Sequence, residues 1–205
     1  MNWIFYIAIN IVFDLVCYLT NWLVVLFADE YGNLPKCLRW WQTYDNCLDV
    51  GWMISEGVVP KCFRYDFGKH YVYYPEFKEA GLLIPGSVKI IDPNFTLKER
   101  VQRYFCRVLW LYRNNGYGFA YEVCGRDYDR YDIKVYQNYE RSQQDACYMG
   151  VVQDGRSFLT QTWSFYYCKK YCKWFYIRIY LGWKIKGLSG RAMIAWHINP
   201  FRLAD

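Results

Sequence analysis

"WIFYIAINIVFDLVCYLTNWLVVLFA", running from Trp3 to Ala28, decides the fold, because its placement determines what the rest of the chain packs against. Its 26 residues span about 39 Å at helical rise, more than the roughly 30 Å hydrocarbon core of a bilayer. Asn10, Asp14 and Asn21 interrupt the apolar run. At about 100° per residue these three and Cys17 fall in one narrow stripe, and the rest of the wheel is mostly Ile, Val, Leu, Phe and Trp. Such a helix either spans a bilayer and pairs its stripe with another helix, or lies at an interface, or is buried in protein with the stripe satisfied there. The membrane span is the leading expectation. Asp14 is costly in either place unless paired or protonated. No Lys or Arg precedes the run and no clean small-x-small site follows it, so it does not read as a cleaved signal peptide.

Directly after it comes "LPKCLRWWQTYDNCLD", Leu34 to Asp49. Lys36 and Arg39, then Lys61 and Arg64, place the body on the cytoplasmic side by the positive-inside rule. Pro35 breaks the chain away from the helix, Trp40 and Trp41 suit interface depth or docking onto the body, and Thr43, Asp45 and Asn46 form a polar turn. The membrane and juxtamembrane set is thus Asn10, Asp14, Asn21, Lys36, Arg39, Trp40 and Trp41.

Residues 29–95 hold five of the six prolines and read as a loop-rich wrap, with a short edge strand in "YVYYPEF" (Tyr71 to Phe77). The clearest helix starts at Thr96, with Glu99 completing a capping box, and stops at Asn114-Asn115-Gly116. Val101, Phe105, Val108, Leu109 and Tyr112 form its apolar face, and Arg100, Arg103 and Arg107 a basic stripe. That stripe is either a phosphate-facing surface or an ordinary helix face with ion-pair partners.

Beyond Gly118 the period becomes two. Strands are expected in Phe119–Gly125, Asp132–Tyr139, "YMGVV", "SFLTQTWSFYY", Lys173–Lys186 and "RAMIAWHIN", with Gln153-Asp154-Gly155-Arg156 as a hairpin turn and Pro200 as the last stop. In Lys173–Lys186 the residues Phe175, Ile177, Ile179, Leu181, Trp183 and Ile185 share one face. Trp174, Tyr176, Arg178, Tyr180, Lys184 and Lys186 share the other, which is expected to stay partly exposed. Arg178, Lys184 and Lys186 join the arginine stripe as a candidate surface for an anionic partner. The fold expected is α+β: an N-terminal apolar transmembrane helix (1–28), a loop-rich middle (29–95), and one amphipathic helix packed on a five- or six-stranded antiparallel sheet (96–205).

Composition bounds the chemistry. A net charge of +6 favours anionic partners without requiring one, and 22 Tyr with 10 Trp suit strands, interfaces and membrane boundaries. Nine cysteines without any Cys-x-x-Cys, beside two histidines, read as free thiols in a reducing compartment. There is no Gly-x-Ser-x-Gly, P-loop or His-Glu-x-x-His. Asp127, Asp129 and Asp132 form too sparse a set for a cation loop, and His70 and His197 read as structural. No catalytic residue, cofactor or metal is expected.

"LPKCLRWWQTYDNCLD", "RNNGYGFAY" (Arg113 to Tyr121) and "YLGWKIKG" (Tyr180 to Gly187), taken in order, resemble a family of small tailed-bacteriophage proteins that begin with an apolar segment and have no assigned activity. Where a proline is expected in the Thr-x-Asp-Asn part of the pattern, this chain has Tyr44. The resemblance implies a phage origin and membrane association, with no catalytic residues to carry over. The leading expectation is a non-enzymatic phage protein in the host inner membrane. Its cytoplasmic domain would bind a host or phage protein in host takeover, superinfection exclusion or defence interference. A virion or ejection component with the helix buried in an assembly is the second. A nucleic-acid binder is the third. Self-association through the Asn10/Asp14/Asn21 stripe accompanies the first.

Overall fold

The computed structural model describes residues 3–54, 59–74, 77–79, 82–84, 87–135, 146–153, 161–172, 175–185 and 190–203. Its chain forms two units, Val12–Phe119 and Met1–Ile11 with Ala120–Asp205. The class is α+β, with a long apolar N-terminal helix and a five-stranded antiparallel sheet beside smaller sheets. The unit boundaries fall inside the first helix and beside Phe119, not at the ends of the expected 1–28 and 29–95 segments.

Helix α1 (Trp3–Val24) continues as a 3-10 turn, Val25–Phe27. The unit Val12–Phe119 contains most of α1, then α2 (Leu48–Ile54), α3 (Phe67–His70), β1 (Tyr71–Tyr74), β2 (Phe77–Glu79), β3 (Leu82–Ile84), β4 (Ser87–Ile90) and α4 (Leu97–Arg113). β1 pairs antiparallel with β4, and β2 with β3. α4 starts as the sequence dictates: the Glu99 backbone N–H donates to Thr96 Oγ1 at 3.2 Å, and the Thr96 N–H donates to Glu99 Oε2 at 2.8 Å. The far side of α4 packs on α2 and on the turn at Lys61–Phe63. Val24, Val25, Leu34, Leu48, Trp52, Leu111 and their neighbours form the core. The end of α1 is therefore part of that core.

The other unit holds the end of α5 (Tyr117–Glu122) and β5 (Arg126–Tyr128), β6 (Ile133–Val135), β7 (Ala146–Val152), β8 (Thr162–Lys170), β9 (Phe175–Trp183), β10 (Gly190–Ala192) and β11 (Ile194–Leu203). The sheet order is β11-β9-β8-β7-β6, all antiparallel, and β5 pairs with β10. The first turns of α1 dock here: Trp3 Nε1 donates to the Ala195 carbonyl at 3.3 Å, and its ring lies 5.3 Å from that of Trp163. Arg126 lies over the Tyr6 and Trp183 rings, at 5.5 and 4.7 Å.

Three sequence expectations are corrected. Phe119–Gly125 does not form a strand; α5 occupies Tyr117–Glu122. The side chain of Arg191 takes the carbonyls of Tyr121, Glu122 and Gly125, at 2.7, 2.7 and 3.1 Å, and so caps that helix. Pro200 does not end β11, which passes it through a register shift between Asn199 and Arg202. β11 is an edge strand, where a missing N–H is tolerated. Finally, Tyr176 and Tyr180 on β9 are buried with Tyr166 and Cys168, while Ile177, Ile179 and Leu181 are only half-buried. The sheet buries its tyrosine face more completely than its aliphatic one. The Asp154-Gly155 turn lies outside the described residues.

Candidate functional site

Three separate stretches meet along the inner side of α1. Asn115, in the turn that ends α4, donates from Nδ2 to the Asp14 carbonyl at 2.7 Å and accepts from Asn21 Nδ2 at 2.8 Å. Gly116 follows with φ +61, and a Cβ there would lie 2.2 Å from Asp14 Oδ1. Two residues on, Gly118 lies beneath the collar: its Cβ would meet the Arg39 and Gln42 carbonyls at 2.5 Å. Phe119 donates its N–H to the Trp40 carbonyl at 3.0 Å and stacks on Phe13 at 4.3 Å. Trp41 Nε1 donates to Thr20 Oγ1 at 3.0 Å. The two glycines are thus required by close approach, which is the physical content of the "NNGYG" pattern. Gly116→Ala is expected to cost about 2 kcal/mol or more, read as a lower urea midpoint for the Val12–Phe119 unit with unchanged slope.

The stripe on α1 is accordingly spent inside the protein. Cys17 and Asn21 are 0% and 1% exposed, and Asn10 is buried. Within the Val12–Phe119 unit, the Asn21 side chain and the Asp14 carbonyl are engaged by Asn115. The opposite side of α1 is apolar and open. Ile4, Phe5, Ile11, Val12, Leu15, Val16, Leu19, Trp22, Leu23, Leu26 and Phe27 are all exposed, Leu15 at 60% and Leu19 at 74%. They cover about half the circumference, the reverse of an ordinary surface helix. Collar contacts flank this arc on one side. On the other, the hydroxyls of Tyr112 and Tyr104 donate to the Tyr18 and Trp22 carbonyls at 3.1 and 2.8 Å. From Tyr104 the apolar surface continues along α4 through exposed Leu97, Val101 and Phe105. Lys36, Arg39 and Trp40 are exposed on the collar.

A second cluster lies deeper. Asp49, near the start of α2, is 0% exposed. Arg107 grips it with Nε to Oδ1 at 3.0 Å and Nη2 to Oδ2 at 2.5 Å. Arg103, one turn earlier on α4, adds contacts at 3.4 and 3.1 Å. The Tyr65 and Tyr71 hydroxyls donate at 3.0 and 3.3 Å. Arg103 also donates to the Glu30 carbonyl and Arg107 to that of Asp29, tying in the end of α1. Burial alone would raise the Asp49 carboxyl, but the two guanidiniums overcome it and hold it down at about 2. Burial and the adjacent carboxylate push the Tyr65 hydroxyl well up.

The sign follows. A depressed carboxyl contributes stability that is complete above its unfolded value of 3.8 and is withdrawn as pH falls toward about 2. Acid unfolding of this unit is therefore expected to set in below about pH 4, followed by tryptophan fluorescence.

The arginine stripe is thus corrected: Arg103 and Arg107 turn inward onto Asp49, and only Arg100 is exposed, its Nε on the Phe95 carbonyl at 3.2 Å. A phosphate-facing surface on α4 loses two of its three cations. His70 is fully buried, its Nδ1 2.8 Å from the Asp92 carbonyl and its ring stacked on Phe95 at 3.9 Å. Arg178 and Lys184 are partly buried on and just after β9, and Lys186 lies outside the described residues. All nine cysteines are free, and among the described residues no His/Cys/Asp/Glu group has metal-binding geometry. The Asp49 cluster was missed at the sequence level; the one signal is a lone carboxylate set between Leu48 and Val50.

Fold and site together define an α+β protein whose N-terminal helix turns its polar stripe inward and an apolar half-cylinder outward. The helix with its turn, Trp3–Phe27, is long and apolar enough to cross a membrane. The chain belongs to a family of unknown function (DUF7338), whose model matches residues 1–204. No curated protein and no solved structure matches it.

Proposed function

We propose that the protein is a membrane-bound, non-catalytic binding protein whose α1 lies in the plane of the bilayer surface. One observation carries this reading: within the Val12–Phe119 unit, protein packs along the inner side of α1 as far as Val25, while Val12, Leu15, Leu19, Trp22 and Leu26 on its outer arc are apolar and exposed. A spanning α1 would draw the collar, α4 and the charged Asp49 cluster toward the hydrocarbon, where unsolvated charge is expensive. Lying in plane, the outer arc reaches the acyl chains, Lys36 and Arg39 meet headgroup phosphates, and Trp40 takes interfacial depth. The buried ionisable groups Asp49, Arg107 and His70 are each held by internal partners, which supports a binding role over a catalytic one.

The resemblance to small tailed-phage proteins supports the finer reading. There the membrane is the host inner membrane, the body faces the cytoplasm, and it binds a host or phage protein in takeover, superinfection exclusion or defence interference. The same exposed arc supports a second reading, a virion component whose helix is covered by other proteins of the particle. Flotation of the full chain with phospholipid vesicles tests the first. The protein is expected to float and to remain bound in about 1 M salt, where the Debye length is only about 3 Å. Protein that stays at the bottom of the gradient overturns the membrane reading, and co-sedimentation with washed virions alone favours the second.

A further inference from the structure

The sheet carries charge of one sign. β6, β7, β8, β9 and β11 contain no Asp or Glu, yet hold Lys134, Lys169, Lys170, Arg178 and Arg202. Strand register gathers part of this charge on the tyrosine face. Arg178 sits opposite Cys168 of β8 and Asn199 of β11, with Tyr176 and Tyr180 on either side of it along β9. His197 is opposite Tyr180, and so diagonal to Arg178 on the same face; Lys170 is opposite Tyr176, with its Nζ 5.6 Å from the ring. Arg178 Nε is buried and has no hydrogen-bond acceptor. A guanidinium N–H kept from water without an acceptor is costly, and the planar fork fits the paired oxygens of a phosphate or carboxylate.

We propose that this face of the sheet is an oxyanion-binding site centred on Arg178, with His197 and Lys170 at its rim, that takes a phosphate or carboxylate group. The anion supplies the acceptor that Arg178 Nε lacks and offsets the positive charge of strands that carry no Asp or Glu. His197 reports on the site. Partial burial and the cations Lys184 and Arg178 push its imidazole down to about 4. Among the described residues the titratable and charged groups that face it are Tyr180, Arg178 and Lys184, all from β9 and the residue after it. An anion seated on Arg178 cancels part of that repulsion and raises the His197 value. Binding therefore strengthens as pH falls into the range in which His197 takes up its proton.

The site does not depend on membrane binding and is tested separately. NMR of the His197 ring in the full chain, held in neutral detergent, is followed against pH with chloride, inorganic phosphate or formate. The expected result is a midpoint near 4 in chloride, raised by about one unit in phosphate, formate or both. The responding anion identifies a phosphoryl or a carboxylate ligand. Arg178→Gln is expected to abolish the rise, and Arg178→Lys to retain part of it. An unmoved midpoint in both anions overturns the proposal, as does an equal rise in Arg178→Gln.

Discussion

Replacing Asp49 with alanine is expected to bring the Val12–Phe119 unit close to unfolding. The substitution leaves the buried Arg107 guanidinium and the half-buried Arg103 guanidinium side by side without a counter-charge, and removes the acceptor for the Tyr65 and Tyr71 hydroxyls. Breaking a buried ion pair from one side costs about 3–5 kcal/mol, against a total stability of about 5–15 kcal/mol for a typical domain. Asp49→Asn keeps the volume but not the charge and is expected to lose most of the same energy. Arg100→Ala, on the exposed side of the same helix, is expected to change stability by less than about 0.5 kcal/mol. Urea unfolding followed by fluorescence of Trp52, whose Nε1 lies 3.4 Å from the Tyr65 hydroxyl, reads the difference. A cost for Asp49→Ala as small as that of Arg100→Ala would show that the cluster does not hold the unit together.

The double substitution Leu15→Lys/Leu19→Lys is expected to abolish vesicle binding and leave the fold intact. Both side chains point away from the body and are mostly exposed, so little packing is lost. In the bilayer-bound state, two buried leucines contribute about 3 kcal/mol or more, and two ammonium groups add a penalty at acyl depth. Affinity should fall at least ~100-fold, with unchanged circular dichroism and urea midpoint. A paired substitution at Asn21 and Cys17 on the inner side should do the opposite: destabilise the unit first, and affect binding only through unfolding. Loss of the fold in Leu15→Lys/Leu19→Lys would mean that the outer arc is covered by protein.

Local signals were legible where chemistry acts at short range. The capping box at Thr96 and Glu99, the stop at Asn114-Asn115-Gly116 and the period-two strands β8, β9 and β11 all follow from neighbouring residues. The polar stripe on α1 was legible as a stripe, but its partner was not. Asn115 is 94 residues from Asn21 and 101 from Asp14, and no periodicity encodes such a contact. Similarly, the spacing of Arg103 and Arg107 shows one helix face but not which way it turns; Asp49, more than fifty residues upstream, decides that. α5 misled because alternating Phe119, Tyr121 and Val123 fits a strand, whereas the capping by Arg191 that favours the helix comes from about seventy residues away. The more deeply covered side of β9 was misassigned for the same reason: alternation assigns faces without saying which one is covered more completely.

The depth of α1 in a bilayer tests the central claim most directly. Nitroxides placed singly at Ile4, Leu15 and Leu26, with the exposed Cys37, Cys62 and Cys172 replaced by serine, report depth by power-saturation EPR. An in-plane helix places all three at a similar shallow depth, about 5–10 Å below the headgroup boundary. A profile with Leu15 at the bilayer centre, about 15 Å deep, and Ile4 and Leu26 near opposite headgroups would contradict the in-plane placement, as would three labels with no lipid contact.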